Sequence, residues 1–262
     1  MNNKPIGVFD SGIGGFTVLE KLYELMPNEN YLYLGDSANS PYGTKTEEEV
    51  EKIVVNNAKL LESSGCKMII VACNTASLFI QKMQKSVNIP VISVIEPTCK
   101  YACSNTKNAK IGVIATDLTI KKERYQTLIK EDKKEVYPVP CSEFVTHIEN
   151  NLDDYEAGLK LVKSKLVSLK NKKIDTLIYG CTHFGLLEKQ IKEVLGNILY
   201  VDCGLATSIY VKKVLQELNL ENKQINKGMI TVYDSLDVQK LKQKVSWFKY
   251  ECVFSLEKLK EL

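Results

Sequence analysis

Short apolar runs alternate along the chain with longer stretches in which apolar residues recur at helical spacing. Residues 68–72 are an unbroken apolar run, typical of a strand buried on both faces of a parallel sheet. Helical spacing indicates helices between the runs, so the order of elements is that of an α/β protein. The runs predict strands at residues 5–9, 31–34, 68–72, 90–94, 111–115, 135–139, 174–179, 199–202, 229–234 and 250–254.

Helix limits follow from the same spacing and from capping residues. Thr46 and Glu49 form a capping-box pattern, which predicts a helix over residues 47–64. Glu96-Pro97 breaks the pattern, and we predict that the crossing to a second lobe begins there. Further helices are predicted at residues 16–26, 74–86, 119 onward, 153–169, 186–195 and 206–218, with a short charged helix at 255–262.

A thiol stands directly after the apolar run at residues 68–72. Cys73 ends this strand and precedes a helix, which places it at the sheet edge where open α/β proteins bind ligands. Free backbone N–H groups at a helix start attract anions, and a thiolate is an anion. We therefore interpret Cys73 as a chemically active group. The alternative is a small buried apolar residue, a common role of free cysteine.

The same arrangement of strand, cysteine and helix occurs a second time at Cys181. The two cysteines are 181 − 73 = 108 residues apart, and residues 6–11 match residues 111–116 at an offset of 111 − 6 = 105. These offsets predict two related α/β lobes with one thiol each, facing each other across a cleft. Two thiols that flank one carbon can remove a proton from one face and return a proton to the other.

Two polar loops are predicted at the same sheet edge as Cys73. Asp10 begins a glycine-rich turn after the first strand, where its carboxylate can receive an ammonium group or position a base. A role as a helix cap or turn residue is equally compatible with this loop. A phosphate site is disfavoured because no Gly-Lys-Ser/Thr follows. The second loop, residues 35–43, follows the next strand.

Charge and cysteine content disfavour several function classes. The net charge of +3 is small and the basic residues are dispersed, so we expect no nucleic-acid partner. Eight cysteines without a signal peptide or long apolar span predict a cytoplasmic protein with reduced thiols and no membrane partner. We expect no metal site, because no Cys-x-x-Cys pair exists and only two histidines are present. Cys99 and Cys103 are interpreted as packing residues.

Four motifs, in this order and spacing, are similar to those of one family. They are FDSGIGG at residues 9–15, Gly-Asp at 35–36 with Pro-Tyr-Gly at 41–43, ACNTA at 72–76, and GCTH at 180–183. Over essentially its whole length, the sequence resembles the cofactor-independent aspartate/glutamate racemase family. The resemblance implies two Rossmann-like three-layer α/β domains related by a pseudo-two-fold axis, with the active site in the interdomain cleft. The expected domains are residues 1–96 with 207–262, and residues 97–206.

The resemblance also implies roles for single residues and an activity. Cys73 and Cys181 match the two proton-transfer cysteines. Asp10 matches the carboxylate that assists Cys73, and His183 matches the residue that assists Cys181. Glu149 falls, by a looser match, where the family has a further acidic helper. The implied substrate-binding positions are Asp10, Ser11, Tyr42, Gly43, Asn74, Thr75, Thr182 and His183.

The implied activity is the interconversion of L- and D-glutamate without a cofactor, which would supply D-glutamate for peptidoglycan synthesis. The expected partner is therefore glutamate, with a homodimer as the alternative to a monomer. Phe184-Gly185 stands where the family usually has Tyr-Pro, which leaves action on aspartate, or on both amino acids, as an alternative. A thiol-based binding or redox-sensing protein without turnover is the non-enzyme alternative. A pyridoxal-dependent racemase is a further alternative, and the purified protein would then show the absorbance of its cofactor.

Overall fold

The computed structural model describes residues 2–255, so the helix expected at residues 255–262 falls almost wholly outside the described residues. The strands are β1 Ile6–Asp10, β2 Tyr31–Gly35, β3 Met68–Val71, β4 Val91–Ser93, β5 Lys110–Ala115, β6 Glu135–Pro140, β7 Thr176–Gly180, β8 Leu199–Val201, β9 Ile230–Asp234 and β10 Val253–Phe254. The α-helices are α1 Gly15–Leu25, α2 Glu47–Ser63, α3 Asn74–Ser77, α4 Ile80–Ser86, α5 Ile95–Asn105, α6 Asp117–Lys121, α7 Arg124–Glu131, α8 Ser142–Asn151, α9 Tyr155–Lys172, α10 Glu188–Leu195, α11 Cys203–Glu217 and α12 Val238–Lys244. Short 3-10 turns lie at Ser37–Asn39, Tyr42–Thr44 and Phe184–Leu187.

The described strands form two parallel sheets, which confirms the predicted α/β class and the two lobes. The first sheet has the order β10-β9-β2-β1-β3-β4, and the second has the order β6-β5-β7-β8. Read from β4 and β8, the sequences β4-β3-β1-β2 and β8-β7-β5-β6 are the same order. This recurrence supports the internal duplication; the pseudo-two-fold axis stays a prediction. We call each sheet with its packed helices the first and second lobe.

Burial on both faces explains why the strands are unbroken apolar runs. In β3, Met68 and Ile70 pack into one core cluster, whereas Ile69 and Val71 pack into another. Helices α1 and α11 cover the first of these faces, and α2 and α4 cover the second. In the second lobe, α5 and α7 cover one face of the sheet, while α8, α9 and α10 cover the other. Each lobe therefore has three layers, as expected.

The proposed domain limits at residues 96/97 and 206/207 fall inside α5 and α11. Both helices lie in the chain crossings between the two sheets, and α11 packs on the first lobe while α5 packs on the second. Their position makes them the continuous connections between the lobes. The limits themselves stay a prediction.

Local expectations differ from the structure at several places. Glu96-Pro97 does not break the pattern but lies in the first turn of α5, where proline is tolerated because its missing N–H would have no helical partner. The chain crosses from the first sheet to the second through this helix, as expected. The helix expected over residues 74–86 is divided into α3 and α4. Helices α5, α8 and α12 were not predicted. The capping box before α2 is confirmed, with Glu49 N–H donating to Thr46 Oγ1 at 3.3 Å and Thr46 N–H donating to Glu49 Oε2 at 2.8 Å.

None of the helices within residues 2–255 combines the length and the apolar character needed to cross a bilayer.

Candidate active site

Both predicted cysteines line one cavity between the lobes. Cys73 follows β3 and Cys181 follows β7, and these strands occupy equivalent positions in the repeated order. The carboxyl ends of parallel strands share a sheet edge, and the cavity of about 110 Å³ lies between the two edges. Its lining consists of Ser11, Ser40, Pro41, Tyr42, Gly43, Cys73, Asn74, Thr75, Thr116, Ser142, Val145, Thr146, Cys181, Thr182 and His183.

Two of the predicted site residues do not line this cavity. Asp10 is fully buried behind it, and Glu149 lies beside a neighbouring cavity of about 120 Å³. The other predicted site residues are all in the lining. Asp10 and Glu149 nevertheless contact lining residues, so they can act on the cavity only through them in this structure.

The Cys73 thiol is buried and meets a hydroxyl of its own lobe. Its Sγ donates to Ser11 Oγ at 3.7 Å. Burial is the main cause that raises the pKa of Cys73 to about 12; the nearby Asp10 carboxylate acts in the same direction, and hydrogen bonds act against both. Cys73 is therefore a neutral thiol near pH 7 in the ligand-free protein.

The Cys181 thiol has a different neighbour, the imidazole of His183. Cys181 Sγ and His183 Nδ1 are 3.8 Å apart. Burial raises the pKa of Cys181 well above its ordinary value, and a backbone hydrogen bond with His183 only partly opposes this. Backbone N–H groups after each strand lower both thiol pKa values, as their attraction for anions predicts, but desolvation is the larger effect at both cysteines in the ligand-free site.

These raised pKa values give a testable reactivity. Between pH 7 and pH 10, the alkylation rates of Cys73 and Cys181 by iodoacetamide should rise about tenfold per pH unit, since only the thiolate reacts and its fraction grows at that rate below the pKa. Peptide mass mapping of each cysteine over time measures this. A cysteine in a short unstructured peptide should instead level off near its ordinary pKa of about 8.5. A plateau below pH 9 for either cysteine in the ligand-free protein would contradict the raised values.

Asp10 links the turn after β1 to the opposite lobe. Its Oδ1 accepts a hydrogen bond from the Gly12 N–H at 3.0 Å, and its Oδ2 accepts one from Thr182 Oγ1 at 3.1 Å. Burial raises the pKa of Asp10, while the charge of His183 lowers it. Asp10 is thus a turn residue, as one interpretation of the sequence predicted. It is also a buried carboxyl group that connects the turn after β1 with the turn that carries Cys181.

His183 belongs to a chain of polar contacts that leads away from the cavity. Its Nε2 lies 3.0 Å from Glu149 Oε1, and Glu149 Oε2 accepts a bond from Lys244 Nζ. Burial opposes ionisation of Glu149, but the hydrogen bonds with His183 and Lys244 outweigh it and lower the Glu149 pKa to about 2. Glu149 is therefore a carboxylate at neutral pH.

The Asn74 amide is held in one orientation by Tyr125 of the second lobe and by Cys203 at the start of α11. Its Oδ1 accepts hydrogen bonds from Tyr125 Oη at 2.6 Å and Cys203 Sγ at 3.5 Å. Its Nδ2 is buried and has no hydrogen-bond partner within the described part of the chain. A buried donor without a hydrogen bond costs free energy. Because Asn74 lines the cavity, its Nδ2 can donate this hydrogen bond to a bound ligand.

Some lining residues were missed by the sequence analysis, and one of them had a signal. Thr116 is the residue that the 105-residue offset pairs with Ser11, so the internal repeat could have identified it. Its Oγ1 lies 3.1 Å from Thr75 Oγ1 of the other lobe. Ser40 and Pro41 belong to the 35–43 loop that was predicted at this sheet edge, whereas Ser142, Val145 and Thr146 of α8 carried no such signal.

The lining is rich in neutral hydrogen-bond donors. It contains hydroxyl and amide side chains, and within residues 2–255 no lysine or arginine is part of it. The volume is below the roughly 300–1,000 Å³ common for larger ligands, so the cavity suits a molecule of amino-acid size. Two thiols as acid and base, beside donors that can stabilise a developing negative charge, are suited to moving a proton on and off carbon. No group of three or more metal-binding side chains occurs in the part that the structure describes.

Comparisons with known proteins agree with this geometry. The family model described as Asp/Glu/Hydantoin racemase matches residues 7–208. A glutamate racemase of Clostridium botulinum (strain Alaska E43 / Type E3) is 37% identical over 244 residues, which cover 91% of this chain and 94% of the relative. The crystal structure of a glutamate racemase isoform from Bacillus anthracis is 33% identical with a TM-score of 0.94 and covers 99% of both chains. A Francisella tularensis glutamate racemase, solved in complex with D-glutamate, is 33% identical with a TM-score of 0.90 over 99% of both chains.

Proposed function

The chain belongs to the Asp/Glu/hydantoin racemase family, and on this premise we propose that it interconverts L-glutamate and D-glutamate by proton transfer between two thiols. The observation that carries the proposal is that Cys73 and Cys181, at equivalent positions of the two lobes, line one small cavity. Glutamate as the substrate is supported by relatives of that name that match almost the whole chain. D-glutamate is a component of bacterial peptidoglycan, and we propose that the product serves cell-wall synthesis.

Racemisation by this site needs two thiols in opposite protonation states. One cysteine, as thiolate, removes the α-proton of glutamate, and the other, as thiol, donates a proton to the opposite face. After one turnover the two protonation states are exchanged, so the enantiomer of opposite hand can then react. The reaction changes no oxidation state and releases no group.

A base strong enough for this reaction follows from the raised thiol pKa values. The α-proton of an amino acid is weakly acidic, and a thiolate whose conjugate acid has a high pKa is a stronger base. Burial and the Asp10 carboxylate give Cys73 that property. We propose that the substrate ammonium group, once bound, supplies the positive charge that allows one thiol to ionise.

The carbanion formed in the reaction must be stabilised without an electron sink on the protein. We propose that neutral donors of the cavity do this by bonding the α-carboxylate as negative charge moves onto it. The unpaired Nδ2 of Asn74 is one such donor. The hydroxyl groups of Ser11, Thr75, Thr116 and Thr182 and the 42–43 backbone complete the proposed set of substrate contacts.

We propose that Asp10 assists proton transfer by Cys73 and that His183 assists proton transfer by Cys181. Asp10 increases the basicity of Cys73 electrostatically, and its bond to Thr182 fixes the turn that carries Cys181. His183 contacts Cys181 directly and is connected to Glu149. The homodimer stays a prediction, which sedimentation can check.

The proposal is tested by incubating the protein with L-glutamate in heavy water without added cofactor. Chiral chromatography with mass detection should show D-glutamate that carries one deuterium at its α-carbon, because the returned proton comes from a thiol that exchanges with solvent. Parallel incubation with L-aspartate measures the breadth of substrate use. Absence of both inversion and α-deuterium from glutamate would refute the proposed function. Incorporation of deuterium into aspartate but not into glutamate would identify aspartate as the substrate of this site.

A further inference from the structure

Lys244 reaches the second lobe from the end of a helix in the first lobe. Helix α12 follows β9 of the first sheet, and Lys244 is its last residue. Its ammonium group bonds Glu149 Oε2, which belongs to α8 of the second lobe. The pair is partly shielded, since the two side chains are 36% and 22% exposed. Such a pair is less screened by solvent than one on the open surface.

The two oxygens of Glu149 have separate partners, which fixes the plane of its carboxylate. Oε2 bonds Lys244, while Oε1 lies 3.0 Å from Nε2 of His183. The bond at Nε2 sets the orientation of the imidazole, and the other ring nitrogen, Nδ1, lies 3.8 Å from the Cys181 sulfur. A contact made by the first lobe is thereby connected through two side chains to the thiol of Cys181.

We propose that Lys244 is a positioning residue for Cys181: by holding Glu149 against His183 from the opposite lobe, it completes the acid–base group of the second thiol when the lobes are together. Cys73 has no part in this chain of contacts, because its sulfur bonds Ser11 instead. The inference rests on the proposed racemase function. It adds a residue of the first lobe to the machinery of the second, and it assigns that residue to one of the two proton transfers.

Racemisation rates alone cannot test the assignment, since inversion uses both thiols in each direction. Elimination from the enantiomers of 3-chloroglutamate uses only one thiol for each hand. The thiolate removes the α-proton, the C–H electrons form a carbon–carbon double bond, and chloride leaves with the C–Cl electrons. The enamine then tautomerises, and water hydrolyses it to 2-oxoglutarate and ammonium. Chloride release therefore measures proton removal by Cys73 or by Cys181 separately, and a Cys181→Ser variant identifies which hand depends on Cys181.

The decisive variant is Lys244→Met, which keeps the length of the side chain without its charge. Its kcat for elimination from the Cys181-dependent enantiomer should fall about tenfold, the size of one charge-assisted hydrogen bond, with KM little changed. Elimination from the other enantiomer should stay within twofold of the parent. Lys244→Arg should restore most of the loss, because a guanidinium can bond the same carboxylate oxygen.

Lys240→Met is the matched control. Lys240 lies one turn earlier on α12. Like Glu149, it lines the neighbouring cavity of about 120 Å³, but within residues 2–255 no ion pair joins it to Glu149. This variant should eliminate chloride from both hands at parent rates. The assignment is overturned if Lys244→Met slows both hands equally, leaves both unchanged, or behaves like Lys240→Met. If the parent protein itself neither racemises glutamate nor eliminates chloride, the proposed function fails instead.

Discussion

Replacing either Cys73 or Cys181 with serine is expected to lower the rate of glutamate racemisation by at least ~100-fold, the lower end of what a positioned acid or base contributes. Inversion requires a base on one face of the α-carbon and an acid on the other, and the two cysteines line the same cavity from opposite lobes. Serine has nearly the shape of cysteine, but its hydroxyl is hardly ionised at any pH near neutrality. Chiral chromatography of L- and D-glutamate incubations measures the loss in both directions.

The two serine variants should differ in the half-reaction that they keep. Each retains one thiol, so each should still release chloride from one enantiomer of 3-chloroglutamate, and the retained enantiomer should be opposite in the two variants. Circular dichroism controls for folding, which the substitution should leave intact. A folded Cys73→Ser or Cys181→Ser protein that racemises glutamate at close to the parent rate would refute the two-thiol mechanism.

Gly14→Ala is expected to cause a loss of similar size although it removes no chemical group. A Cβ at this position would lie 2.2 Å from Thr182 Oγ1 and 2.6 Å from His183 Nδ1, so the turn that carries Cys181 must move. Displacing reacting groups by about 1 Å can cost on the order of 100-fold in rate. We expect kcat/KM for glutamate to fall by about that factor, with a lowered Tm from the strained contact between the lobes.

Gly185→Ala is the control for this substitution. Gly185 lies in the same turn as His183, but apart from its two chain neighbours no heavy atom of residues 2–255 would lie within 4 Å of an added Cβ. Its kcat/KM should therefore stay close to that of the parent. If a folded Gly14→Ala protein keeps kcat/KM within about threefold of the parent, the close approach of the two lobes at this glycine has no catalytic importance.

Most of the fold could be predicted from the sequence because its signals are local. A strand that is covered by helices on both faces must be apolar at every position, and Met68 to Val71 satisfy this requirement in alternation between two core clusters. The positions of Cys73 and Cys181 followed from the same signal, since each directly ends such a strand. Helix α12 was missed because only Val238 and Leu241 of its residues are buried, too few to give a period.

The remainder of the site depends on contacts between residues far apart in the chain. Glu149 lies 34 residues from His183 and 95 residues from Lys244, and no local pattern indicates that the three side chains meet. The thiol pKa values were also outside the reach of the sequence. A helix start and a nearby charge can be inferred from residue order, but the desolvation that dominates at Cys73 and Cys181 is a property of the assembled lobes.

The unequal surroundings of the two thiols constrain how the forward and reverse reactions differ. Cys73 meets the Ser11 hydroxyl, whereas Cys181 meets the imidazole of His183. Enantiomers have identical free energies in water, so the equilibrium mixture holds equal amounts of both and kcat/KM must be the same in the two directions. An asymmetric cleft can then favour one direction at saturation only by weakening that substrate's apparent affinity to the same degree. The hand with the larger kcat must therefore have the larger KM by an equal factor.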